Sequence, residues 1–196
     1  LVGGEEGILD QFSEVARNAL LKARAVSPVV VRDETDLARE DFSPYFALLD
    51  EGEVAPEFAS WSLGTYAALI ERLSPSHVRL YAARYEDQLI SWLLFTISGV
   101  EAVCEWSARS AASADIDALA QTALAAAVDL SGEGVERVEL REGVYPDSRQ
   151  RGPLAFLRQE LTGEYTETSI TYDLPLNRIS EGIMRLVSSL RSKLGR

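Results

Sequence analysis

The chain has 196 residues, of which 46% are apolar, and its formal net charge is -12 with an isoelectric point near 4.6. These values are those of one good-sized domain or a tight pair of small ones. The acidic balance argues against a broad nucleic-acid interface, which needs a basic face. The lone cysteine excludes an intramolecular disulfide, the lone histidine makes a zinc site improbable, and no apolar run approaches the roughly 20 residues of a membrane helix.

The first part of the chain predicts a loose terminus, a helix and a short strand. Residues 1–7 are rich in glycine and glutamate, and helical spacing of apolar residues predicts a helix over Ile8–Ala25. Ser27-Pro28 ends this helix, and Val29–Val31 predicts a short buried strand. The apolar face of the helix is expected to contain Ile8, Phe12, Val15, Ala19 and Leu20.

Two more helices are predicted before the centre of the chain. One covers Asp33–Asp50, where Pro44 either breaks the helix near its start or lies in its first turn. The other covers Glu57–Leu73, with apolar residues spaced to face a sheet.

Three consecutive strands are predicted at the centre. Val78–Tyr85 is followed by the turn Glu86-Asp87 and the strand Gln88–Ser98, and Gly99 turns the chain into Glu101–Ser107. Turns this short need antiparallel neighbours, so the three strands form a meander. The middle strand is apolar on both faces, as expected of a central strand covered on both sides.

The remaining elements alternate between helices and strands. They are, in order, Asp115–Leu130, Val135–Arg141, the short helix Pro153–Leu161, Tyr165–Leu174 and the closing helix Asn177–Leu194. We therefore expect an α/β fold with a mixed sheet around a mostly antiparallel meander, and helices on both faces. Residues 8–176 are expected to form one domain, on which a basic amphipathic helix, 177–196, packs.

Carboxylates on the predicted strands are candidates for a general base. A carboxylate beside Trp106 or Leu140 would have the apolar surroundings that suit this role. The more frequent arrangement is a solvated strand face, or a structural pair with Arg109 or Arg141. The candidates are Glu101, Glu105, Glu139 and Glu142.

The cysteine and the histidine are weaker candidates. Strand periodicity points Ala102, Cys104 and Trp106 to one face, so Cys104 is expected to be a small buried residue rather than a nucleophile. His77 lies just before the meander, where surface or capping histidines are more frequent than catalytic ones.

Two basic segments are candidates for binding anions. Arg149 and Arg151 precede the short helix that contains Arg158, and arginines near free helix N–H groups can hold a phosphate. The closing helix is basic and amphipathic, so it either packs on this domain or a neighbouring one, or lies on an anionic membrane surface.

Five segments, in the right order, resemble the FemABX group of the GNAT superfamily, the peptidoglycan-bridge aminoacyltransferases and their acyltransferase relatives. The segments are Arg17–Ala23, Leu80–Leu89, Glu105–Ala108, Gly152–Gly163 and Tyr172–Asn177. The chain departs from the family at Leu157, where a lysine is usual, and at Ser107, where glycine is usual. The acyl-CoA signature Q/R-x-x-G-x-G/A is absent between Ala108 and Ile116.

The resemblance implies a GNAT-like fold and the transfer of an acyl or aminoacyl group to an amine. The donor would be acyl-CoA or aminoacyl-tRNA, the acceptor a small molecule or cell-envelope precursor, and no cofactor or metal would be bound permanently. Family proteins have two GNAT-like domains, so this chain would be half of a longer protein or a single-domain relative. The expected location is the cytoplasm or the inner face of the membrane, without stable insertion.

The residues expected to do this work follow from the same resemblance. Glu105 is the candidate base, and Phe156 and Arg158 line the donor end. The sheet is expected to splay beside Trp106 and Ser107, the substrate-binding candidates, where exposed backbone groups would hold the acyl donor. Arg149 and Arg151 would bind an acceptor phosphate. The alternative, from another class, is a non-catalytic or partner-dependent GNAT-like binding module.

Overall fold

The structure, a computed structural model, describes residues 3–26, 29–51, 62–73, 75–110 and 118–140. Within these ranges the chain forms helices and strands in the order α1, α2, β1, α3, α4, α5, β2, β3, β4, α6, β5. The helices are α1 (Gly4–Leu9), α2 (Glu14–Val26), α3 (Thr35–Glu40), α4 (Ser43–Glu51), α5 (Leu63–Leu73) and α6 (Ala118–Gly132). The strands are β1 (Val30–Asp33), β2 (Val78–Tyr85), β3 (Gln88–Ser98), β4 (Glu101–Arg109) and β5 (Arg137–Leu140).

The five strands form one mixed sheet in the order β1-β2-β3-β4-β5. Neighbours from β1 to β4 are antiparallel, whereas β5 is parallel to β4. The predicted meander and mixed sheet are confirmed. At the first turn, Glu86 and Asp87 have φ values of 49° and 64°, the left-handed pair that suits the twist of a tight hairpin.

Helices cover both faces of the sheet because β3 is apolar on both. Leu93 and Phe95 point to the face that α1, α2 and α6 cover, which we call the α6 face. Trp92 and Leu94 point to the face that α3, α4 and α5 cover, which we call the α4 face. All four side chains are at most 1% exposed, so β3 is the centre of the core, as predicted.

The N-terminal helix differs from its prediction. Instead of one helix from Ile8, α1 begins at Gly4 and a break separates it from α2. The Ser13 hydroxyl accepts a hydrogen bond from the Ala16 N–H at 3.2 Å, which caps the start of a second helix. The new start changes the buried face: α2 buries Ala16 and Leu20, whereas Val15 is 76% exposed.

The next two elements also need correction. β1 is at the edge of the sheet as described, and Val30 is exposed rather than buried. The single helix predicted over 33–50 is divided into α3 and α4. The Asp41 carboxylate accepts a hydrogen bond from the Ser43 N–H at 2.9 Å, which starts a new helix there, and Pro44 lies in the first turn of α4.

Smaller differences concern the ends of elements. β4 extends to Arg109, and β5 begins at Arg137 because Val135 belongs to the preceding turn, where it is buried. Every element predicted after residue 140, and with them the domain boundary at 176/177, lies outside the described residues and stays a prediction.

A buried ion pair ties β1 and α4 to the first hairpin. Arg84 donates two hydrogen bonds to the Glu34 carboxylate, at 2.7 and 2.8 Å, and the Tyr45 hydroxyl donates a third at 2.7 Å. Only 4% of Glu34 is exposed. Burial raises the pKa of this carboxyl, but the hydrogen bonds from Arg84 and Tyr45 and the Arg84 charge outweigh it, so the pKa is below its usual value.

We expect Glu34→Gln to lower the free energy of unfolding by about 3 kcal/mol at pH 7, because it leaves Arg84 half-buried without its charge partner. A carboxyl whose pKa is depressed by folding stabilises the protein above its unfolded pKa. The difference between wild type and variant should therefore shrink as the pH falls below 4.5, the ordinary value for glutamate.

Urea denaturation between pH 3 and pH 8 measures this difference. The matched control is Asp36→Asn, which removes an exposed ion pair with Arg39 and should change stability by less than about 1 kcal/mol. Equal losses of unfolding free energy in the two variants, or a loss for Glu34→Gln that does not depend on pH, would contradict the stabilising role of the Glu34–Arg84 ion pair.

Candidate functional site

The β4 strand has a bulge at Glu105. Leu94 of β3 pairs with Trp106, and the next residue, Phe95, pairs with Cys104, so Glu105 is the extra residue of the bulge. Such a bulge inserts one residue into one strand and re-aims the side chains around it.

The bulge places Glu105 and Trp106 on the same face of the sheet. Cys104 packs in the core of the α6 face, whereas Trp106 packs against the core of the α4 face. Thr96 follows Phe95 and therefore points to the α4 face with Leu94. Its hydroxyl donates a hydrogen bond to Glu105 Oε1 at 3.2 Å, which puts the carboxylate on that face too.

The expectation that Ala102, Cys104 and Trp106 share a face is therefore wrong for Trp106. Ala102 and Cys104 do share the α6 face, but the extra residue reverses the alternation beyond them. The expectation that Cys104 is buried is confirmed, with 0% of it exposed.

An aromatic cluster supports Trp106 from the α4 face. The Trp106 ring meets Tyr66 edge-on with 5.7 Å between ring centroids, and Tyr66 stacks on Phe42 at 5.3 Å. Phe42 in turn meets Trp92 of β3 at 5.8 Å. Burial raises the pKa of Tyr66 to about 12, so this phenol stays neutral at physiological pH. The cluster is therefore an uncharged aromatic surface that packs against Trp106.

The described pairing of β5 with β4 reaches the residue before the bulge. Cys104 pairs with Leu140, which is the last residue that the structure describes. Val138 and Leu140 pack on the α6 face, so Glu139, opposite Val103, lies on the α4 face with Glu105. Carboxylates of two neighbouring strands therefore share this face.

The sequence-predicted residues divide into three groups. Glu105 and Trp106 come together on the α4 face, whereas Ser107 pairs with Leu93 and points to the α6 face. Glu101 is in an ion pair, as the structural alternative predicted, but its partner is Arg137 and not Arg109 or Arg141. Outside the described residues lie Glu142, Arg149, Arg151, Phe156 and Arg158.

Thr96 is the residue that sequence reasoning missed. It belongs to a strand that alternation predicts correctly, but nothing in the sequence indicates which carboxylate its hydroxyl reaches. The bulge determines which carboxylate Thr96 contacts, whereas the sequence Cys104-Glu105-Trp106 has the pattern of a regular strand.

His77 is exposed, and its carbonyl accepts a hydrogen bond from the Ile97 N–H at 2.8 Å, so it is a surface residue as expected.

A cleft of about 470 Å³ lies away from these residues, between α2, β1, β2 and α6. Two pairs of its lining residues contact each other: the Tyr81 hydroxyl donates to Asp129 at 2.7 Å, and Arg24 is ion-paired with Glu5.

Among the described residues, no three histidine, cysteine or carboxylate side chains lie close enough together to hold a metal ion. None of the helices in this part of the chain has the length and apolar character of a membrane span.

No protein-family model and no curated protein matches the chain. Among solved structures, an aminoglycoside acetyltransferase from an uncultured soil metagenomic sample, meta-AAC0020 in complex with sisomicin, is 17% identical with a TM-score of 0.56. The alignment covers 74% of this chain and 96% of that one. The aminoglycoside N-acetyltransferase AAC(6')-Iy, in complex with CoA, is 14% identical with a TM-score of 0.57, over 76% of this chain and 96% of that one.

FemX gives a TM-score of 0.66 at 11% identity, over 83% of this chain and 56% of FemX. The chain thus spans little more than half of FemX. At these identities the similarity establishes the fold alone, which is that of the GNAT acetyltransferases, so the predicted GNAT-like fold is confirmed. Membership of the FemABX group stays a prediction.

We expect Cys104 to be unreactive in the folded protein because its side chain is buried. Ellman's reagent should find no thiol under native conditions and one thiol per chain in denaturant. Rapid labelling of the native protein would contradict this burial and would restore Cys104 as a candidate nucleophile.

Proposed function

We propose that this chain transfers an acyl group from an activated donor to an amine. The observation that supports the proposal is a carboxylate at a β-bulge, Glu105, on the α4 face of a GNAT fold. A bulge at this point matches the general use of bulges to aim a side chain beside an active site.

The chemistry requires little more than a base and a polar backbone. The amine loses its proton to the Glu105 carboxylate and attacks the carbonyl carbon of the donor. A C–N bond forms, the tetrahedral oxyanion collapses and the bond to the leaving group breaks, with the proton passing to that group. N–H donors directed at the oxyanion would stabilise the step most strongly.

We propose acyl-CoA as the first donor to test. AAC(6')-Iy and the PaiA N-acetyltransferase of Thermoplasma acidophilum, a further neighbour at 16% identity, were solved with CoA. Backbone groups beside the β4 bulge could bind the amide groups of the pantetheine arm of CoA by hydrogen bonds of the kind that hold an added strand. Aminoacyl-tRNA, at the cytoplasmic face of the envelope, is the donor that the FemABX resemblance favours.

The acceptor we propose is a cationic small molecule with an exposed amine. Two neighbours are aminoglycoside acetyltransferases, one of them solved with sisomicin. The net charge of -12 would attract such an acceptor. A cell-envelope precursor is the alternative acceptor.

The second candidate function is a module that needs a partner domain. The observation that favours it is the 56% coverage of FemX, which leaves room for a second domain in a protein of that architecture. A catalytic chain and a partner-dependent module differ in one respect that is simple to measure: only the former transfers acyl groups when alone.

The first experiment is a calorimetric titration with acetyl-CoA, a longer acyl-CoA and an aminoacyl-tRNA analogue. Micromolar binding of either acyl-CoA supports transfer from acyl-CoA. Binding of the tRNA analogue alone supports the FemABX hypothesis, in which aminoacyl-tRNA is the donor. No binding at all contradicts transfer by this chain and supports the partner-dependent module.

We expect Glu105→Gln to lower kcat about 100-fold or more, because the amide cannot accept the proton, while donor binding is unchanged. Release of free CoA in the presence of a panel of amines measures transfer, and calorimetry measures binding. The matched control is Glu101→Gln, on the same strand but ion-paired with Arg137, which should transfer normally. Equal rates for wild type and Glu105→Gln would remove Glu105 from the mechanism.

The resemblance supplies a prediction for the residues outside the described ranges. If Arg158 binds the donor end, Arg158→Ala should abolish transfer and weaken donor binding in the same titration. Normal binding and transfer would remove Arg158, and with it the assignment of the neighbouring Phe156, from the site. Arg149→Ala and Arg151→Ala should raise KM for a phosphate-bearing acceptor only.

A further inference from the structure

We propose that Thr96 positions the Glu105 carboxylate for catalysis, by a hydrogen bond from the strand next to β4. The inference rests on the proposed function, because it concerns the same base. It assigns a role to a residue on β3 that need not contact either substrate.

The bulge creates the need for a positioning residue. Glu105 is the extra residue of the bulge, and its side chain is half-buried rather than packed in the core. A glutamate side chain has several rotatable bonds, so holding its carboxylate in one place requires contacts that offset the lost freedom. A base acts well only when it is held in the geometry of the reaction.

Thr96 is well placed to meet this need. It pairs with Val103 of β4 and follows Phe95, which is 1% exposed, so its backbone is part of the central strand of the sheet. As a β-branched residue, threonine has few side-chain conformations available in a strand. Its hydroxyl donates to Glu105 Oε1 at 3.2 Å.

The direction of the hydrogen bond matters as much as its length. Thr96 holds the carboxylate from the β3 side of β4. An ionised carboxylate has about four acceptor positions, and the Thr96 hydroxyl occupies one. The same carboxylate can therefore be held by Thr96 and accept a proton.

The chain offers a matched control for Thr96, a second β3 hydroxyl whose hydrogen bond has only a structural role. Ser91 lies on the same strand, is completely buried, and its hydroxyl is also 3.2 Å from its partner, Thr122 Oγ1. Thr122 belongs to α6, so this contact is on the face away from Glu105. Ser91→Ala thus removes a comparable β3 hydrogen bond without touching the proposed base.

The experiment compares wild type, Thr96→Val, Thr96→Ser and Ser91→Ala. Transfer from acetyl-CoA to the amine panel gives kcat and KM, calorimetry gives donor binding, and thermal denaturation gives stability. Thr96→Val keeps the shape and removes the donor, so kcat should fall about tenfold with donor binding unchanged. Thr96→Ser restores the hydroxyl and should recover most of the rate, and Ser91→Ala should transfer as wild type does.

Three results would overturn the proposal while leaving the proposed function intact. They are a Thr96→Val protein as active as wild type, a loss that serine does not restore, and an equal loss of kcat in Ser91→Ala. If Thr96→Val does not fold, Thr96→Ala replaces it in the same comparison with Thr96→Ser. A wild-type protein that binds and transfers nothing overturns the proposed function itself, and the role of Thr96 with it.

Discussion

The structure depends on one constraint, the burial of β3 on both faces. Trp92, Leu93, Leu94 and Phe95 are all at most 1% exposed, and each large apolar side chain contributes about 1.5–3 kcal/mol when it is buried. One helical layer could cover only two of them. The strand therefore requires helices on both sides. Of these four side chains only Trp92 has a polar atom, and its indole N–H donates a hydrogen bond to the Tyr45 carbonyl at 2.9 Å.

The same double burial leaves the register of the sheet to other residues. In a strand with one polar face, a slip of one residue would expose the core, but in β3 it would exchange one apolar residue for another. The tight turn at Glu86 and Asp87 and the ion pair between Arg84 and Glu34 fix β2 instead. On the other side, the fit of Cys104 and Trp106 into opposite cores fixes β4, with one extra residue between them. That residue is Glu105, so the candidate base is a consequence of how the core packs.

Sequence patterns predicted well the part of the fold that this constraint controls. β2 and β3 have the predicted bounds, because alternation and short turns act locally and the interior of the sheet agrees with them. The N-terminal helix was predicted less well, since Ser13 caps a new helix where apolar spacing alone reads as continuous. The bulge could not be predicted, because it arises from packing against two separate helical layers. Glu105 and Trp106 were found as candidates by type and resemblance, and their shared face only by structure.

The charges of the described residues bear on the acceptor more than on the fold. Six arginines are in ion pairs with carboxylates, namely Arg17, Arg24, Arg39, Arg79, Arg84 and Arg137. These pairs neutralise basic groups that could otherwise bind phosphates, while Glu105 and Glu139 share the α4 face. Field lines from an acidic surface extend about a Debye length, roughly 8 Å at physiological salt, and would draw in a cation. The same field opposes a polyanionic donor, whether acyl-CoA or aminoacyl-tRNA, unless a basic surface outside the described residues offsets it. The charge therefore favours a cationic amine as the proposed acceptor, and it does not distinguish between the two proposed donors.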